Sequence, residues 1–141
     1  MNQKMFCFQC EQTAGCSGCK GKAGVCGKAA DVAKLQDELT GALVGLSRAA
    51  VNAPDVNEGI WRLMIEGLFT TITNVNFNEK TLRELIDRVH GEKVCLVSGC
   101  SGCASVCGRT DDYDMKNIWN AQEDIRSLKS LILFGVRGMA A

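Results

Sequence analysis

Cysteine placement constrains this chain more than any other feature. Nine cysteines fall in two tight groups, one running from Cys7 to Cys26 and the other from Cys95 to Cys107. The first group lies in a segment, residues 1–28, that has no helical period and carries Gly15, Gly18, Gly21 and Gly24 among its thiols. Such a stretch has no apolar stripe to bury, so it reads as a loop held by something other than a core. Disulfides would need an oxidising compartment, a secretory leader and usually an even cysteine count. The opening Met1-Asn2-Gln3-Lys4-Met5-Phe6-Cys7 has no apolar h-region and no cleavage site. Reduced thiols in the cytoplasm, engaged in metal or redox chemistry, are therefore expected.

In the first group, Cys7 and Cys10 are two residues apart and can be offered from one turn, while Cys19 and Cys26 form a wider pair, with Cys16 left over. Glycines let a backbone fold closely round a cofactor and aim N–H groups at its sulfides. Four thiolates also fit zinc, although zinc ribbons and knuckles more often use two short pairs. Spacing favours an iron–sulfur cluster over zinc only modestly. In the second group, Gly99-Cys100-Ser101-Gly102-Cys103 echoes Gly15-Cys16-Ser17-Gly18-Cys19. The x2 and x3 gaps joining Cys100, Cys103 and Cys107 match part of a bacterial ferredoxin run, but the x4 gap from Cys95 does not fit and no proline follows Cys107. A loop of free or readily oxidised thiols is the preferred reading there, and a second cluster the bolder one.

The rest of the chain reads as helix. Hydrophobic residues make up 46% and charged residues 23%, enough for one globular core. Val32, Leu35, Leu39, Ala42, Leu43 and Leu46 recur at helical spacing, with Asp31 as a cap and Pro54 as the stop. A second helix is expected over 57–73, capped by Asn57, and a third from Glu79, capped by Asn78 and closed at Gly91. Val94 to Val97 reads as a short extended piece, and residues 108–117 as a polar loop. Asn120 with Glu123 has the form of a capping box opening a last helix through Met139. Trp61 and Trp119 are expected in the core. His90, the lone histidine, reads as a surface or capping group, and Asp111-Asp112-Tyr113-Asp114 as a solvated turn.

Charge and hydropathy exclude two classes of partner. Sixteen basic residues balance sixteen acidic ones, which removes the electrostatic case for nucleic acid. The most apolar run, Leu131 to Val136, is bracketed by Lys129 and Arg137 and falls far short of the roughly 20 residues a membrane span needs. Lys4, Lys20, Lys22 and Lys28 surround the first cysteine group, either as a docking face for an acidic electron-donor protein or simply as a solvated loop.

The stretch Met5-Phe6-Cys7-Phe8-Gln9-Cys10-Glu11-Gln12-Thr13-Ala14, then Gly18-Cys19, then Gly24-Val25-Cys26-Gly27-Lys28, resembles the N-terminus of the hybrid cluster proteins, also called prismane proteins or hydroxylamine reductases. The likeness continues through Leu35-Gln36-Asp37 and Leu68-Phe69-Thr70-Thr71, and is strong again from Glu123 to Gly135. It implies that Cys7, Cys10, Cys19 and Cys26 hold an iron–sulfur cluster, a cubane 4Fe-4S centre or, as in some members, 2Fe-2S. The last gap is one residue longer than the common cubane spacing, so both types stay open, and Cys16 remains a substitute for Cys19. The family's catalytic hybrid 4Fe-2S-2O cluster takes Cys, His and Glu ligands from later α/β domains, so it is not expected in this chain.

These readings combine into an all-α fold: a bundle of about four helices over 29–141, preceded by a cluster-binding loop over 1–28. The expected function is that of an electron-transfer domain of an oxidoreductase, the front portion of a hydroxylamine-reductase-like protein. Alternatives are a structural zinc module using the same four thiolates, or a thiol redox sensor using both cysteine groups. Expected partners are the remainder of a longer hybrid cluster protein, or a second copy through the C-terminal helix, and an electron-donor protein.

Overall fold

A computed structural model describes residues 4–10, 17–98 and 111–141. Among the described residues five helices follow one another: α1 (Ala30–Asn52), α2 (Glu58–Thr70), α3 (Glu79–Ser98), the short α4 (Lys116–Trp119) and α5 (Glu123–Ala140). The only extended pairing among the described residues is a single antiparallel bridge between Cys7 and Cys19. The all-α bundle expected from the apolar periodicity is thus what forms.

The core is built by the stripes read from the sequence. Val32, Leu35, Leu39, Ala42, Leu43 and Leu46 of α1 meet Ile60 and Leu63 of α2 and Leu82, Leu85 and Val89 of α3. Full burial of each such side chain contributes about 1.5–3 kcal/mol, which outweighs any local propensity. Asn57 caps α2 by accepting from the Ile60 N–H at 3.1 Å, and Asn78 caps α3 by accepting from Lys80 and Thr81 N–H groups. Ala53, before Pro54, is extended and ends α1. Asn74 takes a left-handed φ of 67° in the α2–α3 connection, a conformation asparagine tolerates.

Several expectations are corrected. Helix α3 does not stop at Gly91, and residues 94–97 are its last turns, not an extended piece. Leu96 packs on the core cluster and Lys93 bonds Asp112 Oδ1 at 2.6 Å, so tertiary contacts carry the helix past its glycine. Lys116 and Asn117, read as the end of a polar loop, instead begin α4. The capping box does not form: Asn120 closes α4, and α5 opens after Gln122 without a side-chain cap. Asp31 lies inside the first turn of α1 and makes no cap bond, and α2 ends at Thr70, short of 73. Trp61 is half exposed, not core.

The acidic turn is a clasp and not merely solvated. His90 Nε2 lies 2.7 Å from Asp112 Oδ2, and Asp114 Oδ1 accepts from the Lys116 N–H at 2.9 Å. Burial pushes the Asp112 carboxyl up, but the bonds from Lys93 and His90 outweigh it and hold it below its usual range. Tyr113 N–H donates to Gly41 O at 3.1 Å, pinning this segment on α1. Trp119 sits with Phe6 and Phe8 in an aromatic cluster, ring centroids 5.3–5.9 Å apart, and Arg126 lies 4.9 Å over its ring. That cluster fastens the cysteine-bearing N-terminal segment to the far end of the chain. No helix among the described residues is long and apolar enough to cross a membrane.

Candidate metal centre

The first cysteine group is shaped by two local devices. Cys7 N–H donates to Cys19 O at 3.2 Å and Cys19 N–H to Cys7 O at 2.7 Å. This is a hydrogen-bonded antiparallel pair, which sets both side chains on one face of the bridge. The second device is a turn in which Gly24 N–H bonds Lys28 O and Gly27 N–H bonds Gly24 O. Gly27 needs a φ of +84°, and a Cβ on Gly24 would lie 3.3 Å from Cys26 Sγ. Glycine at these two positions lets the backbone wrap the Cys26 thiol closely.

Cys7 and Cys19 are buried, Cys10 and Cys26 are half-buried, and Cys95 is exposed on α3. None of these five forms a disulfide. The bridge brings Cys7 and Cys19 together; among the described residues, no group of three or more His, Cys, Asp or Glu side chains converges as a metal site. Cys16, Cys100, Cys103 and Cys107, and the motif residues from Glu11 to Ala14, lie outside the described residues.

What surrounds the pair is more informative than the pair itself. Lys28 is 2% exposed, so it is not part of a solvated loop. Its Nζ lies 3.9 Å from Cys7 Sγ and bonds Gln36 Oε1. Lys4, Lys20 and Lys22 are exposed, as a docking or solvated face would be. From the other end of the chain Arg137 of α5 reaches in and is 4% exposed. It donates to Gln9 O at 3.4 Å, Gln9 Oε1 at 3.3 Å, Thr40 Oγ1 at 3.0 Å and Thr71 Oγ1 at 3.0 Å. Gln9 stands between Cys7 and Cys10, and its Nε2 donates to Asp37 Oδ1.

The charge balance of this buried region is unusual. Two cations meet the Cys7–Cys10 segment, while their hydrogen-bond acceptors are amide, carbonyl and hydroxyl oxygens and one sulfur. Burial pushes Asp37, the nearby carboxyl, up to about 6 despite Gln9, Arg137 and Lys28, and pulls Arg137 down to about 10 against Asp37 and the two thiols. Burial also raises the Cys7 thiol, and Lys28 and the Gln9 N–H only partly offset it. Buried cations without enough anion are costly. A metal centre held by ionised thiolates fits this place, because it supplies the missing negative charge and displaces the thiol protons.

Arg137, Gln9, Gln36 and Asp37 were not among the residues singled out for the site. Arg137 follows Leu133 by one turn on the face of α5 that the structure turns inward, whereas the apolar stripe read from the sequence, Ile125, Leu128, Ile132, Val136 and Met139, lies largely exposed.

Residues 5–141 match the Prismane/CO dehydrogenase family. The chain is 39% identical to a hydroxylamine reductase of Clostridium perfringens over 158 positions, which cover 97% of this chain and 29% of that protein. It is 36% identical to a hydroxylamine reductase of Solidesulfovibrio magneticus and 39% to one of Caldanaerobacter subterraneus subsp. tengcongensis, at 97% and 98% of this chain and 29% of each relative. It therefore spans about 29% of the length of these curated relatives. The resemblance carried by the cysteine motif and by the last helix thus extends over nearly all of the sequence, and the chain belongs to the Prismane/CO dehydrogenase family.

Proposed function

We propose that this chain is an iron–sulfur electron-transfer domain of a hydroxylamine-reductase-like protein, with Cys7, Cys10, Cys19 and Cys26 as ligands. The observation that carries the reading is the pair of buried cations, Lys28 and Arg137, on the Cys7–Cys10 segment. A four-thiolate iron–sulfur centre is anionic, and when bound it supplies storage for one electron at a time. The chain's own residues do the rest. The Cys7–Cys19 bridge and the Gly24–Lys28 turn present thiols, Lys28 and Arg137 neutralise charge, and the bundle behind them keeps water away. Reduction of hydroxylamine to ammonia and water takes two electrons and two protons. That reaction is proposed for the whole-length protein, with this chain passing electrons inward one by one.

Anaerobic reconstitution with iron and sulfide tests the assignment. Broad visible absorbance with stoichiometric iron and sulfide is expected. Serine at Cys7, Cys10 or Cys26 should abolish it, because a hard, weakly acidic hydroxyl replaces a thiolate, whereas serine at Cys16 should not. Full iron and sulfide content in the Cys7→Ser protein would sink the ligand set. A colourless protein holding one zinc would support the structural alternative instead. The reconstituted chain alone should show no appreciable hydroxylamine turnover with a strong electron donor; robust ammonia production would move the active site into this domain.

A further inference from the structure

We infer that Arg137 is a potential-setting residue: its fixed positive charge, held against the backbone between Cys7 and Cys10, makes electron acceptance at the four-cysteine centre easier. The inference rests on the iron–sulfur reading above and adds a role for a residue far from every ligand in sequence. Arg137 lies 128 positions from Gln9, yet its guanidinium is buried and donates to both Gln9 oxygens. Two threonines from separate parts of the bundle, Thr40 and Thr71, take two more of its five N–H donors. Each threonine hydroxyl in turn donates to a helix carbonyl, Thr40 to Gln36 O at 2.7 Å and Thr71 to Leu68 O at 2.8 Å. The guanidinium is therefore locked in place by uncharged hydrogen-bond acceptors, and the nearby Asp37 carboxyl offsets only part of its charge.

A fixed buried charge acts most strongly on whichever redox state is the more negative. Reduction adds one electron to the centre and takes one from a one-electron donor, with no bond among this chain's atoms made or broken. A cation beside the ligand segment stabilises the reduced side. At an effective dielectric constant of about 20, a unit charge roughly 10 Å away changes such an equilibrium about tenfold. Lys28, on the Cys7 side, adds to the same field. A merely structural Arg137 would hold α5 in place and leave the equilibrium unmoved.

The test is a dye-mediated redox titration, with dithionite as donor, of the reconstituted chain and of Arg137→Gln and Arg137→Lys. Arg137→Gln is expected to hold cluster while its reduction equilibrium falls about tenfold, which is about 59 mV for one electron. Arg137→Lys should restore most of the difference, since it keeps the charge and loses the fork. An unshifted equilibrium in Arg137→Gln overturns the inference and leaves the iron–sulfur reading standing. Equal losses in the Gln and Lys variants overturn it too, because geometry and not charge would then be responsible. Should Arg137→Gln fail to fold, Arg137→Met, an uncharged side chain of similar length, takes its place beside the Arg137→Lys protein. A lowered equilibrium in the first and a near wild-type one in the second support the field argument, and any other pairing overturns it. Absence of any cluster in the wild-type chain overturns the reading and this inference together.

Discussion

Asp37 stands where burial and a cation pull in opposite directions. Its carboxyl accepts from Gln9 Nε2 and feels Arg137 and Lys28, yet burial wins and raises it to about 6. In an unfolded chain the group titrates near 4. The folded metal-free protein therefore binds the proton more tightly. Linkage then makes its contribution complete below about pH 4 and lost as pH rises through about 6. The size is on the order of 3 kcal/mol. Urea unfolding of the metal-free chain from pH 4 to 7 should show this decline, and Asp37→Asn should flatten it. An equally steep decline in the variant would place the titration on another group. At this scale the cysteines were legible in the sequence because thiol spacing is a local property. Lys28 was noticed beside Cys26, but its burial was not. Arg137 escaped because its site is assembled from α1, the loop after α2 and the N-terminal segment, which no local pattern joins.

Two glycines separate what an element needs from what its neighbours need. Gly41, in the middle of α1, faces the clasp so closely that a Cβ would lie 2.3 Å from Tyr113 O, a backbone atom with no freedom to step aside. Gly91, in the middle of α3, has open space around its missing Cβ. Alanine at 41 should destabilise the fold by about 1–3 kcal/mol or more, as overpacking does, and loosen the Tyr113–Gly41 bond. Alanine at 91 should stabilise it by about 0.5–1 kcal/mol, since the helix no longer orders a glycine. Thermal unfolding of both variants checks the pair; a stabilised Gly41→Ala protein would mean that the clasp does not sit on α1 as described. The same contrast explains which helices could be read ahead of the structure. Those with continuous apolar stripes, α1 and α2, were legible to within a few residues, as was the start of α3. Its end was not, because Gly91 is a good local stop that Leu96 and Lys93 override through long-range contacts. Helix α4 has only four residues, held by Trp119 against Phe6 and Phe8 and by Asp114 at its start, so no periodicity could announce it.

Taken as a whole molecule, the bundle leaves a large apolar surface on α5. Leu131 is 67%, Ile132 66% and Met139 88% exposed, while Arg137 is buried and Leu133 only partly so. Helix α2 adds the half-exposed Trp61 and Ile65. A groove of about 600 Å³ opens between α1, α2 and α5, lined by Leu43, Met64, Leu68, Ile118, Ile132 and Leu133. Contiguous apolar surface of this kind is rare on monomers and marks a contact. We propose that in proteins of the relatives' length, of which this chain covers about 29%, other parts of the protein cover α5. In the isolated chain, a second copy is the available cover. Each of these side chains regains about 1.5–3 kcal/mol on full burial, which favours association even after the entropy of docking is subtracted. Sedimentation velocity over a hundredfold range of concentration should therefore show dimers or larger species. Leu131→Glu with Ile132→Glu should return the chain to a monomer without loss of helix content, because neither side chain supports the core. A wild-type chain that stays monomeric throughout that range would show that the α5 face does not drive self-association.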